Sequence, residues 1–78
     1  MKYDRNKVDE MTLALMYLAT HEENELGARA WKGFDWDTME RLHVKGYISS
    51  PVGKAKSVVL TLKGLTHSRE LFNRHFGQ

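Results

Sequence analysis

Lys54 and Lys56 lie two apart in the stretch SSPVGKAKSVVL, between Pro51 and Gly53 on one side and a β-branched run on the other. Two ammonium groups on an extended loop can neutralise phosphates, and each ionic contact steepens the salt dependence of binding by close to one unit. On a merely solvated loop the same lysines would serve solubility alone. Thr38, Arg41 and Lys45 fall in the segment DWDTMERLHVKG, where they are available to face outward from a helix. An arginine there can pair with a guanine edge in the major groove. Asp35, Asp37 and Glu40 crowd the N-terminal half of that segment, the half by which such helices approach bases, and their carboxylates repel phosphates. The competing reading is a structural helix whose acids complement its dipole.

Trp31, Phe34 and Trp36 cluster with Arg29 and Lys32. Basic residues interleaved with aromatics can serve stacking on single-stranded bases. The same aromatics can instead close the end of a thin core, each burying on the order of 150–250 Å². On that second reading, which the sequence favours, Trp31→Ala costs roughly 3–5 kcal/mol. The four histidines, His21, His43, His67 and His75, show no converging metal spacing: His67 and His75 are eight apart, and His21 with Glu25 sits in a poor helical context. There is no cysteine, hence no disulfide and no thiolate site. A Gly-x-Ser-x-Gly elbow, a phosphate-cradling glycine loop and a pair of carboxylates in an apolar frame are all missing. A non-enzymatic protein without cofactor or small-molecule ligand is expected.

Positioning these residues requires elements. Over residues 6–20, Val8, Met11, Leu15 and Leu18 recur at spacings of three and four, which predicts a helix facing the core with that stripe. Asn6 is a plausible N-cap, with Asp9 and Glu10 in the first turn. Leu13, Met16 and Tyr17 add apolar surface on another side, and a helix apolar most of the way round is buried on more than one side. Residues 21–34 read as a loop, followed by one short helical turn or a short strand around Arg29 to Lys32. A second helix runs from about Trp36 to Lys45. Asp35 can cap it, with Phe34 and Met39 as a hydrophobic staple, or Asp37 can cap it in a capping box with Glu40; Gly46 is a left-handed stop. Tyr47 to Ser49 and Ser57 to Leu60 form an antiparallel pair around a long tip. Thr61 caps a last helix reaching about His75, with Leu65, Phe72 and Phe76 on one face and Leu71 beside it.

The chain is 78 residues long, which predicts a single domain over 1–78. A domain of this size buries only about 60% of its unfolded surface, so a partner subunit would help it. Net charge is +2, unevenly spread. Residues 1–40 hold five Lys/Arg against nine acids, a net −4, and residues 41–78 hold seven against one, a net +6. That asymmetry hints at an acidic partner for the second half, or at attraction between the halves. MKYDRNKVDE is too charged for a signal peptide and no apolar run approaches a membrane span, so a cytoplasmic location is expected.

The phrase "RLHVKGYIS", followed by a hairpin and "VVLTLKGL", resembles the winged-helix fold of small bacterial transcription regulators, the MarR and PadR families in particular. The matching residues are Leu42, Gly46, Tyr47 and Ile48, then Leu60, Thr61 and Gly64, within roughly residues 36–76. The stretch "RAWKGFDWD" is also similar to a family of small bacterial proteins of unknown function. One departure from the regulators is HEENELGARAWKGF, which occupies the slot of the helix that normally precedes the recognition helix. A helix there would be short or absent.

The resulting expectation is an α+β fold, a small winged-helix-like domain of three main helices plus a two-stranded antiparallel wing. Double-stranded DNA would be bound through Thr38, Arg41, Lys45, Lys54, Lys56, Arg29 and Lys32. A homodimer would form through the first and last helices, with Leu13, Met16, Tyr17, Leu71, Phe72 and Phe76 as its apolar surface. The alternative is a winged-helix module that binds protein or itself without DNA.

Overall fold

The computed structural model describes residues 1–78. The chain is α+β: helix α1 (Arg5–Met16), strands β1 (Thr20–Asn24) and β2 (Gly27–Trp31), helix α2 (Trp36–Val44), strand β3 (Ser57–Leu60) and helix α3 (Leu62–Phe76). The strands form one antiparallel sheet in the order β1-β2-β3.

α1 begins one residue earlier than its apolar pattern implies. Asp4, not Asn6, is the cap, and its carboxylate accepts the Lys7 amide hydrogen at 3.1 Å. The helix gives way at Tyr17 to a 3-10 turn through Ala19, and Thr20 then turns extended. Its inward face is Asp9, Leu13, Ala14 and Met16. Leu15 and Leu18, expected inside, are exposed, whereas Leu13 and Met16, expected at a subunit interface, are fully buried. The two apolar sides of α1 have therefore exchanged roles, because α3 of the same chain claims the Leu13 side. Ser68 at its middle donates to the Leu13 carbonyl at 2.7 Å, and Leu71 is buried beside it. Leu13, Met16 and Leu71 are thus core and not a dimer surface. Tyr17 and Phe72 are half-buried with rings 5.3 Å apart, and Phe76 extends that aromatic row at 5.2 Å toward solvent.

Residues 20–31 are a β-hairpin, which corrects the expected loop over residues 21–34 and extends the short strand allowed near its end. Asn24 accepts the Leu26 amide hydrogen at 2.8 Å across the turn, and Gly27 follows with φ 139°. A side chain at Gly27 would also collide with the Leu60 carbonyl. β1 is an edge strand exposed along nearly its whole length, so it carries no apolar alternation by which to read it. β2 and β3 do alternate: Ala28, Ala30, Val58 and Leu60 face the helices, and Arg29, Trp31, Ser57 and Val59 face away.

The main partner of β3 is β2, which corrects the two-stranded wing. The expected Tyr47–Ser49 arm is reduced to one bridge, Ile48 to Leu60, with two further backbone bonds, Ser49 N–H to the Val59 carbonyl at 2.8 Å and Thr61 N–H to the Tyr47 carbonyl at 3.0 Å. One cluster of twelve buried residues, including Leu13, Met39, Ile48, Leu60 and Leu71, unites all three helices and the sheet. No helix is long and apolar enough to cross a membrane.

Candidate functional site

α2 and its C-cap Lys45 carry three of the expected base- and phosphate-contacting residues, and the helix ends match sequence signals. Asp35 caps it by accepting the Thr38 amide hydrogen at 3.1 Å. At the other end Gly46 has φ 83° and Tyr47 N–H returns to the Leu42 carbonyl at 3.1 Å, closing a left-handed stop. The side chains point otherwise than expected. Thr38 is fully buried; its hydroxyl donates to Asp35 at 2.8 Å and accepts from the Arg41 guanidinium at 3.0 Å. Arg41 and Lys45 both clasp Asp9 of α1, Arg41 with Nε and Nη2 each 2.8 Å from Oδ1 and Lys45 with Nζ 2.7 Å from Oδ2.

The clasp explains why these cations do not reach outward. Asp9 is 2% exposed, and an unpaired carboxylate there would be costly. Burial pushes its pKa up, but the hydrogen bonds and charges of Arg41 and Lys45 outweigh burial and hold it below its ordinary value. Arg41 is correspondingly raised, chiefly by its bond to Asp9. Within α2 itself the exposed residues are Trp36, Asp37, Glu40 and Val44, none of them a cation; the half-exposed Lys45 at the C-cap is held by Asp9. In the sequence Asp9 stands among the first-turn acids of the helix. Its spacing of four and seven from Leu13 and Met16 places it on their face, and that was the available signal.

Arg29 lies on the outward sheet face, paired with Glu22 at 3.1 Å and donating to Ser57 at 3.2 Å. Lys32 is a clamp on the loop after α2: its ammonium donates to the carbonyls of Pro51 at 2.8 Å and Gly53 at 3.0 Å. Its backbone N–H also bonds the Lys56 carbonyl at 3.2 Å. Lys54 and Lys56 are exposed on the loop so held, with no acidic side chain at ion-pair distance. Of the seven expected residues, the structure leaves these two uncommitted. Trp31 and Trp36, expected in the core, are 51% and 55% exposed, and only Phe34 packs partly against it. Trp31 projects from the outward face of β2, while the core lies against the face that bears Ala28 and Ala30.

A cleft of about 340 Å³ between α1, α2 and α3 is lined by Asp9, Glu10, Lys45, His67 and Arg74, among others. Its charges satisfy one another: Lys45 serves Asp9, while Glu10 binds His75 at 3.0 Å and Arg74 at 3.6 Å. His43 is bonded to the Ile48 carbonyl at 3.0 Å, and no three His, Cys, Asp or Glu side chains converge on a point.

No solved structure matches the chain. The uncharacterized protein y4hR of Sinorhizobium fredii (strain NBRC 101917 / NGR234) is 51% identical over 76 residues, 97% of each chain. Residues 4–78 match the model of DUF6429, a domain of unknown function, which agrees with the likeness of RAWKGFDWD to small bacterial proteins of that kind and stands in place of MarR or PadR. With nearly the whole length covered, the chain belongs to the DUF6429 family.

Proposed function

We propose that this protein is a non-enzymatic, winged-helix-like domain that binds nucleic acid through its loop lysines and not through α2. The supporting observation is the contrast in how cations are used. Arg41 and Lys45 neutralise a buried carboxylate, whereas Lys54 and Lys56 stand free on a loop clamped by Lys32. A loop held at its base presents its charges with little ordering cost, which favours phosphate contact. The acidic outward face of α2 argues against base readout from a major groove, so affinity is expected to vary little with sequence. The test is an anisotropy titration on duplex DNA at two salt concentrations. Binding at about 50 mM salt that weakens steeply at higher salt is expected, with Lys54→Ala/Lys56→Ala weakening it on all sequences alike. Absence of binding to duplex and to single-stranded DNA alike at the lower salt rejects the reading.

A second reading, self-association without DNA, is favoured by the apolar stripe that the core leaves outside. Tyr3, Val8, Met11 and Leu15 line a shallow groove along α1, and Leu18 continues the apolar surface. Light scattering at micromolar concentration would give twice the chain mass if this stripe pairs two copies, and Leu15→Glu would restore the monomer. A wild-type monomer removes this reading.

A further inference from the structure

The sheet has one face turned away from the core. Arg29 and Trp31 project from β2, Ser57 and Val59 from β3, and His21 lies opposite Arg29 on β1. Trp31 is the unusual member. Its pyrrole ring rests against Gly33, where any side chain would collide with it, yet half of the residue remains exposed. The indole therefore packs at its pyrrole edge on the backbone while the rest of it faces solvent. Trp31 pairs with Ser57, the residue that follows Lys56, so the two free lysines and the exposed indole share one end of the sheet.

From this placement we infer that the open sheet face binds single-stranded nucleic acid, with a base stacked on Trp31 and its phosphates following Lys54 and Lys56. An exposed indole presents a flat apolar surface that any base can cover, and the ammonium groups of the loop leaving the same end of the sheet supply complementary charge. A duplex cannot offer an unstacked base to a sheet face, which is why the preferred strand is single. Glu22 pairs with Arg29 at 3.1 Å, which leaves Lys54 and Lys56 as the cations without an acidic partner at this end of the sheet. The inference rests on the nucleic-acid reading above and specifies its ligand.

The two-tryptophan composition supplies a clean probe. In Trp36→Phe, Trp31 is the sole indole, and adding oligo(dT) is expected to quench its fluorescence. Trp31→Ala is expected to weaken oligo(dT) binding on the order of 5- to 150-fold, with Trp31→Phe closer to wild type. Lys54→Ala/Lys56→Ala should lower the slope of log affinity against log salt by about 0.7 per lysine. Circular dichroism checks that each variant is folded, and the quenching readout does not depend on Trp31→Ala folding. Unquenched Trp31 fluorescence at saturating oligo(dT) overturns the inference, as does unchanged affinity in a folded Trp31→Ala. Should duplex DNA bind as tightly as oligo(dT), through the lysines alone, the loop reading stands and the stacking inference falls. Failure of both nucleic acids to bind at about 50 mM salt removes both.

Discussion

Asp9 joins two helices through charge. Its partners Arg41 and Lys45 sit on α2, and Arg41 passes the connection to Thr38 and the Asp35 cap. No buried side-chain polar atom is left without a partner. Replacing Asp9 by Asn removes the charge that both cations answer; because Arg41 and Lys45 keep part of their side chains in solvent, the loss should be about 1–2 kcal/mol, below that of a fully buried pair. Urea unfolding should show that loss as a lower midpoint with the slope unchanged. The depressed pKa of Asp9 has a direction as well. The unfolded chain, with the carboxyl near 3.8, takes up its proton before the folded one does, so stability is present above about pH 4 and falls as acid drives the folded carboxylate through its lower pKa. Thermal melts from pH 6 to pH 2 should show this decline in wild type and a flatter one in Asp9→Asn. At Trp31 the expectation reverses: with half its surface in water, Trp31→Ala should cost about 1 kcal/mol instead of the 3–5 expected of a core position, and a melt will separate the two.

The junction between β3 and α3 carries more structure than its length suggests. Thr61 accepts the Gly64 amide hydrogen at 3.0 Å as N-cap and donates its hydroxyl proton to the Gly46 carbonyl at 2.8 Å. It thereby ties the start of α3 to the end of α2. Thr61→Ala loses both bonds and should cost about 1–2 kcal/mol, with Thr61→Ser recovering most of it in the same urea assay. Gly64 is buried one turn into α3, where helix propensity favours alanine by about 1 kcal/mol. A side chain there would meet the Tyr47 carbonyl, so Gly64→Ala should destabilise in spite of that preference. This close approach packs the first turn of α3 onto the chain leaving α2, and it gives the Thr-x-x-Gly phrase of the sequence a physical meaning.

The whole chain buries one core of twelve residues, and the charge asymmetry between its halves is partly spent inside it. Asp9 and Glu10 from the acidic half hold Arg41, Lys45, His75 and Arg74 from the basic half, and Glu23 holds Arg69 at 3.1 Å. If the outward stripe of α1 pairs two copies, the melting temperature should rise with protein concentration, and Leu15→Glu should abolish that rise. Local chemistry is legible in the sequence alone. The Asp35 and Thr61 caps, the Gly46 stop, the extents of α2 and α3 and the strand at Ser57–Leu60 each depend on residues a few positions apart. The choice between the two apolar sides of α1, the pairing of β3 with β2, the exposure of Trp31 and the capture of Arg41 and Lys45 by Asp9 depend on segments more than twenty residues away. A helix with apolar residues on two sides, or a cation on a helix surface, reads the same whatever it later meets. Packing alone selects the side that is buried and the carboxylate that is answered, and with them the two lysines left for a partner.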